Sequence, residues 1–119
     1  MIQDFLSPVK EVVLAHLMLS SQNCLGNILT IHSDQHGFPD LAQVKLAIIG
    51  VEEDRNSENN FGCGEDLHFI RRKLYDLFPG RWQTPIADLG NVKKGATVSD
   101  TYFAVSEIIT FLLKQDVIP

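Results

Sequence analysis

The sequence has few cysteines and no long hydrophobic run, and these shortages exclude several classes of protein. Its two cysteines, Cys24 and Cys63, form no CxxC pair, and two lone thiols in an acidic chain indicate a reducing compartment. The longest apolar stretch, residues 12–19, is interrupted by His16 and is too short to span a bilayer. The N-terminus also lacks the basic and apolar regions of a signal peptide. We therefore expect a cytoplasmic protein with no membrane partner.

Concentrated positive charge is missing as well. The chain carries 10 basic and 15 acidic residues, a net charge of −5, and its basic clusters at residues 71–73 and 93–94 are short. Nucleic-acid binding requires a dense basic surface, so we expect no nucleic-acid partner. We interpret residues 71–73 as part of the solvent-exposed face of a helix.

The apolar pattern of the chain is that of an α/β protein. Its 119 residues, 45% of them hydrophobic and 21% charged, are typical of one globular domain. Residues 45–51 form a nearly continuous apolar run, which predicts a strand buried on both faces of a parallel sheet. Periodicity further predicts helices over residues 7–19, 65–78 and 99–115 and strands over residues 25–31, 85–89 and 117–119. The alternation of strands and helices predicts a doubly wound parallel sheet with helical crossovers.

Helix ends and buried faces can also be predicted from the sequence. Ser7, followed by Pro8, is expected to cap the first helix, and Ser99 the last. The second helix is expected to bury Leu67, Ile70, Leu74, Leu77 and Phe78, with Arg71, Arg72 and Asp76 elsewhere. The last is expected to bury Tyr102, Val105, Ile109, Leu112 and Leu113.

A polar loop over residues 52–64 follows the strongest strand. Long loops without regular structure are uncommon and often functional. In open α/β sheets, ligands bind beyond the carboxyl ends of the strands. We therefore single out Arg55, Asn59 and Asn60 as residues that line the mouth of a cleft and contact substrate. The alternative is a solvated acidic loop, because position in a loop is weak evidence by itself.

Two further motifs predict no site. The run from His32 to His36 alternates potential metal ligands, but a metal site also needs a fourth ligand and supporting contacts. We interpret this run as a solvated loop. The Gly62-Cys63-Gly64 element lacks the third glycine of a dinucleotide-binding turn, since Leu67 occupies that position. We therefore predict neither a metal site nor a dinucleotide-binding site in these two segments.

Several ordered pieces of the chain resemble the ureohydrolase family of arginases, agmatinases and formimidoylglutamases. They are Leu46-Ala47-Ile48-Ile49-Gly50-Val51, Glu53-Asp54-Arg55, Asn59-Asn60, Gly62, Ile70-Arg71-Arg72-Lys73-Leu74, Ile86-Ala87-Asp88-Leu89-Gly90-Asn91 and Lys114-Gln115-Asp116-Val117-Ile118-Pro119. The resemblance covers residues 45–119 and is strongest to the formimidoylglutamase-like branch. One departure is Glu65-Asp66, where the family has a turn similar to Gly-Pro.

The resemblance implies an arginase-like fold of which this chain is an N-terminal fragment. Residues 1–44 would form an extension of one helix and one strand, and residues 45–119 the first βαβα units. Family members use two Mn²⁺ ions to activate a water that attacks a guanidinium or formimino carbon. The family's metal-binding motifs do not occur here, so the fragment is expected to be inactive alone and to have the rest of its own polypeptide as partner.

Two alternatives stay open. The chain could be a non-catalytic binding or assembly module that forms homo-oligomers through an unpaired sheet edge at Val117-Ile118 or at residues 25–31. It could also be a flavodoxin-like or receiver-like domain, for which Glu52, Glu53 and Asp88 would be the acidic residues at strand ends. The long asparagine-rich loop argues against this last interpretation.

Overall fold

The computed structural model describes residues 2–119, which form an α/β protein with a mixed four-stranded sheet. In chain order the elements are a 3₁₀ turn (Ile2–Phe5), β1 (Leu6–Ser7), α1 (Glu11–Met18), α2 (Leu25–Ile28), β2 (Thr30–Ile31), β3 (Leu46–Val51), a second 3₁₀ turn (Cys63–Glu65), α3 (Leu67–Tyr75), β4 (Ile86–Val92) and α4 (Val98–Lys114). The predicted α/β class is therefore confirmed.

The sheet is built around β4, in which six of the seven residues are buried. Strand β3 pairs in parallel with one side of β4. The other side of β4 pairs with two short strands, β2 in parallel and β1 antiparallel. The prediction of a wholly parallel sheet is wrong at β1, which has only two residues and too little pattern to be recognised. The expectation that β3 is covered on both faces is also wrong, because Val51 is 37% exposed and most of the strand is half-buried.

Residues 117–119, predicted to begin a strand, form only an isolated parallel bridge beside β3, at Ile118. The Ile118 amide donates to the Lys45 carbonyl, and the Ala47 amide donates to the Ile118 carbonyl, each at 2.9 Å. This parallel bridge buries Val117 completely. This part of the β3 edge is therefore covered.

The predicted strand over residues 25–31 is wrong for most of its length. Its first four residues form the short helix α2, and only Thr30 and Ile31 pair with β4. Gly26 lies so close to α3 that an added Cβ would be 2.6 Å from the Cβ of Tyr75. Packing against α3 therefore outweighs the strand propensity of this segment.

Helix α3 turns a different face to the sheet from the predicted one. Arg71 is 5% exposed and Tyr75 is fully buried, whereas Ile70 and Leu77 are 62% and 57% exposed. The interpretation of residues 71–73 as a solvent-exposed cluster is therefore wrong for Arg71. Buried Asp88 on β4 requires a cation beside it, and this requirement decides the rotation of the helix.

The predicted helix ends and the face of α4 also need correction. Thr97, not Ser99, caps α4 and forms a reciprocal capping box with Asp100. The buried face of α4 consists of Thr101, Ala104, Ile108 and Leu112, while Tyr102 and Leu113 are exposed. Ser7 belongs to β1, and α1 begins three residues after Pro8.

Helices cover both faces of the sheet. One apolar cluster joins α4 to Ala87, Leu89 and Val92 of β4, and the other joins α1 and α2 to Tyr75 of α3. Within residues 2–119, no helix combines the length and the apolar character that crossing a membrane requires.

Candidate functional site

The candidate site lies where β3 and β4 approach their carboxyl ends. Parallel strands end at the same edge of a sheet, and the 52–66 loop and the start of α4 meet there. Five side chains form one hydrogen-bonded group, which we call the polar edge cluster: Glu52, Arg71, Tyr75, Asp88 and Asn91.

Arg71 is the centre of this cluster. Its Nε and Nη2 donate to the two carboxylate oxygens of Asp88 at 2.8 and 3.0 Å, and its Nη1 donates to Oδ1 of Asn91 at 2.5 Å. Nη2 also donates to the Gly90 carbonyl at 2.9 Å. The planar guanidinium satisfies all of these acceptors at once, which an ammonium group cannot do.

The protonation of the cluster follows from its burial. Burial raises the pKa of Tyr75, and the neighbouring Asp88 carboxylate raises it further, so the hydroxyl remains a hydrogen-bond donor to Asp88. Burial alone would lower the pKa of Arg71, but its hydrogen bonds and charge interaction with Asp88 outweigh burial and the pKa is raised. The cluster is therefore a buried ion pair with a neutral tyrosine.

An irregularity in β4 brings Asp88 and Asn91 to the same side. Residues three apart on a regular strand point to opposite faces. Here Ile48 pairs with Asp88 but Gly50 pairs with Asn91, so β4 has one residue more than β3 between the two pairs. Gly90 accommodates this bulge with a φ of +89°. As a result, both side chains reach Arg71, and Asn91 also donates to Glu52 at 2.8 Å.

Arg55 is held by the loop and α4 and does not project freely into a cleft. Its Nε donates to Glu53 at 2.8 Å, and other guanidinium nitrogens donate to the carbonyls of Gly95 and Ala96 at 3.0 Å. Nη2 also lies 3.3 Å from the Thr101 hydroxyl. Arg55 therefore fixes the loop to the segment that leads into α4.

Asn59 and Asn60 are both exposed in the middle of the loop, and Asn59 has a φ of +53°. Within residues 2–119, no hydrogen bond links either side chain to Arg55. The structure therefore does not join the three predicted site residues into one hydrogen-bonded group.

A second contact holds the far end of the loop. Asp54 is 6% exposed and accepts hydrogen bonds from the Gly64 amide at 3.2 Å and from Nζ of Lys94 at 3.3 Å. The Gly64 amide, followed by Lys94, lowers the pKa of Asp54. The loop is thus pinned near both ends, and residues 58–61 between them are exposed.

The Glu53–Arg55 pair predicts a pH dependence of stability. The hydrogen bond from Arg55 lowers the pKa of Glu53 from 4.5 to about 2, so the folded chain binds fewer protons than the unfolded chain in this range. The stabilisation is complete above the ordinary pKa and is lost as pH falls through the folded value, between about pH 5 and pH 2. We expect the difference in urea midpoint between wild type and Glu53→Gln to be largest near pH 6 and to shrink towards pH 2.

Glu58→Gln provides the matched control, because Glu58 is exposed in the same loop. Its urea midpoints should follow those of the wild type at every pH. A Glu53→Gln difference that stayed constant across the range would contradict the assigned role of the ion pair.

The histidine-rich run is not a solvated loop at its start. His32 is 9% exposed, donates through Nδ1 to the Leu89 carbonyl at 2.8 Å, and packs edge-to-face on Phe38. Ser33 is buried, and only the later residues, including His36, are exposed. Throughout the described chain, residues 2–119, no three His, Cys, Asp or Glu side chains are grouped so that they could hold a metal ion.

Sequence reasoning missed the roles of Arg71, Tyr75, Asp88 and Asn91. Two signals were present: Arg71 and Tyr75 are four positions apart and share a helix face, and Asp88 interrupts an otherwise apolar strand. The acidic groups Glu53, Asp54 and Asp88 each have a cationic partner. The arrangement therefore positions the loop and the strands.

Comparison with known proteins gives no assignment: no family model, no curated protein and no solved structure matches this chain.

Proposed function

We propose that this chain is the N-terminal scaffold of an arginase-like, manganese-dependent hydrolase that cleaves C–N bonds of linear amidines or guanidino compounds. The observation that supports this most directly is the loop after β3, which is pinned at both ends beside the carboxyl ends of two parallel strands. Ligands of open α/β sheets bind at this edge. The ordered sequence resemblance of residues 45–119 supplies the reaction class.

The residues of this chain do not fit a manganese pair. Manganese prefers several oxygen or imidazole ligands around each ion. Of the carboxylates near the edge, those of Glu53, Asp54 and Asp88 are paired with Arg55, Lys94 and Arg71, and that of Glu52 accepts a hydrogen bond from Asn91. In the proposed function the metal ligands and the attacking water therefore belong to the rest of the polypeptide.

In this proposal the chain holds the rim of the substrate cleft in place. Arg55 anchors the loop to α4, which leaves the exposed amides of Asn59 and Asn60 free to hydrogen-bond a polar substrate. Side-chain amides can both donate to a carboxylate and accept from a guanidinium or formimino group.

The decisive experiment uses the full-length product of the source gene. We expect it to release urea, ammonia or formamide from arginine, agmatine or formiminoglutamate when Mn²⁺ is added. A stop codon directly after codon 119, or a longer product that cleaves none of these substrates, would refute the proposal.

The rim can be tested in the same protein. We expect the double substitution Asn59→Ala/Asn60→Ala to raise KM roughly tenfold, the equivalent of one or two lost hydrogen bonds, with little change in kcat. Asn23→Ala is the control, because Asn23 is also an exposed asparagine but lies away from the loop. It is two residues from Leu25, whose amide donates to the Leu77 carbonyl just beyond the C-terminal end of α3. Equal KM values for the two variants would contradict the proposal that Asn59 and Asn60 bind substrate at the rim of the cleft.

A second candidate function is the assembly module. The outer edge of β3 is paired only by the bridge to Ile118, so within residues 2–119 the backbone groups of Ile49 and Val51 on that side have no strand beside them. Such edges recruit further strands. A module of this kind would form a stable oligomer without metal, which sedimentation of the 119-residue chain distinguishes from the hydrolase scaffold.

A further inference from the structure

The outward side of α3 carries two adjoining depressions. One, of about 520 Å³, is lined by Phe69, Ile70, Lys73, Leu74 and Leu77. The other, of about 250 Å³, is lined by His16, Phe69, Arg72, Lys73 and Asp76. Because they share Phe69 and Lys73, we treat them as one surface, the α3 surface, with an apolar half and a charged half.

The apolar half is unusually exposed for a soluble protein. Phe69, Ile70 and Leu77 are 55%, 62% and 57% exposed, and Phe78 directly after them is 69% exposed. An aromatic side chain buries roughly 150–250 Å² when covered, so Phe69 alone leaves roughly 100 Å² open. Phe69, Ile70 and Leu77 line one depression, so their exposed apolar surface is contiguous, as it is at interaction sites.

The charged half is basic in a chain that is acidic overall. Arg72 and Lys73 make no ion pair within residues 2–119, whereas the chain as a whole has a net charge of −5. The one carboxylate there, Asp76, accepts hydrogen bonds from Nε2 of His16 at 2.8 Å and from the Ser20 hydroxyl at 3.2 Å, and it interacts electrostatically with Lys73, so it offsets only part of the positive charge. The complementary charge for this half is therefore negative.

This charge pattern separates two occupants. A second copy of the chain, docked symmetrically, would bring a surface with the same excess of positive charge, and like charges across an interface are unfavourable. A helix with carboxylates along one side of an apolar stripe complements both halves of the α3 surface, because its stripe can cover the apolar half and its carboxylates can pair with the basic half. Helix α3 has nine residues and is about 13 Å long, which matches about two and a half turns of such a helix.

We propose that the α3 surface docks an acidic amphipathic helix of a partner protein. The apolar stripe, with side chains at positions i, i+3, i+4 and i+7, lies against Phe69, Ile70 and Leu77, and carboxylates pair with Arg72 and Lys73. The net negative charge of the chain repels an acidic peptide at long range. If the chain binds such a peptide, the attraction must therefore come from a local basic surface such as this one.

The test measures fluorescence anisotropy of a labelled 15-residue peptide that has leucine at the stripe positions and glutamate on both flanks. We expect the 119-residue chain to bind it at least tenfold more tightly than a peptide with lysine in place of glutamate. The charge reversal Arg72→Glu/Lys73→Glu should weaken binding at least tenfold. The control Lys10→Glu/Lys114→Glu changes the net charge equally at exposed positions elsewhere and should alter binding less than twofold.

Two results would overturn the proposal. One is equal affinity for the glutamate and lysine peptides, a comparison that leaves the protein unaltered and so does not depend on how the variants fold. The other is concentration-dependent dimerisation of the wild-type chain in sedimentation that Ile70→Glu abolishes, which would show that a second copy covers this surface.

Discussion

Replacing Arg71 with methionine is expected to lower the free energy of unfolding by about 3–5 kcal/mol, because the fully buried Asp88 carboxylate would lose its counter-charge. The substitution would also remove the hydrogen bonds that Arg71 donates to the Asn91 side-chain oxygen and to the Gly90 carbonyl. Since a domain of this size is stabilised by roughly 5–15 kcal/mol, the loss is a large part of the total. Urea unfolding followed by circular dichroism measures it.

Arg72→Met is the matched control for this prediction. Arg72 is the next residue on α3, is only partly buried and makes no ion pair within residues 2–119, so its replacement should change stability by less than about 0.5 kcal/mol. A double-mutant cycle of Arg71→Met with Asp88→Asn should give a coupling energy of about 1–3 kcal/mol. Similar losses for Arg71→Met and Arg72→Met would show that the buried pair does not hold α3 against β4.

Replacing Gly90 with alanine is expected to cost about 3 kcal/mol or more. The φ of +89° is unfavourable for any residue with a Cβ, by roughly 1–2 kcal/mol. In addition, the new Cβ would overlap the carbonyl oxygen of Ser7 on β1. Relieving the overlap requires β1 to move away from β4, which breaks the pairing of Leu6 with Val92. Unfolding in urea gives the total loss, and faster amide hydrogen exchange at Leu6 and Val92 reports the displaced strand.

Gly37→Ala separates the two contributions. Gly37 also has a positive φ, +73°, but an added Cβ there meets nothing within 4 Å. Its replacement should therefore cost only the backbone contribution, roughly 1–2 kcal/mol. If Gly90→Ala cost no more than Gly37→Ala, the close approach of β1 to the bulge would be unimportant for stability.

These two predictions concern the same connection between β4 and α3. The bulge at Gly90 turns Asp88 and Asn91 to the same side, and Arg71 then joins both to α3. Asn91 continues the connection to Glu52, the first residue of the loop. Loss of either residue is therefore expected to loosen the start of the loop from which Asn59 and Asn60 project in the proposed function.

Part of the candidate site could be predicted from the sequence. The loop after β3 was recognisable because a dense apolar run ends abruptly in charged and asparagine residues, and its place at the carboxyl edge follows from the parallel pairing. The role of Arg55 as an anchor could not be predicted. It depends on the carbonyls of Gly95 and Ala96, which are about forty positions further along the chain.

The sequence by itself determined the α/β class, the location of β3 and the extent of the long helix α4, because continuous apolar runs and long helical periods are local signals that neighbouring residues reinforce. Tertiary structure alone decided the strand β1, the one-turn helix at Leu25–Ile28 and the rotation of α3. Strand β1 exists only through its pairing with β4, and α2 through close packing on Tyr75. The rotation of α3 was decided by electrostatics, since a buried carboxylate at Asp88 stabilises the orientation that brings Arg71 to it at the cost of exposing Ile70 and Leu77.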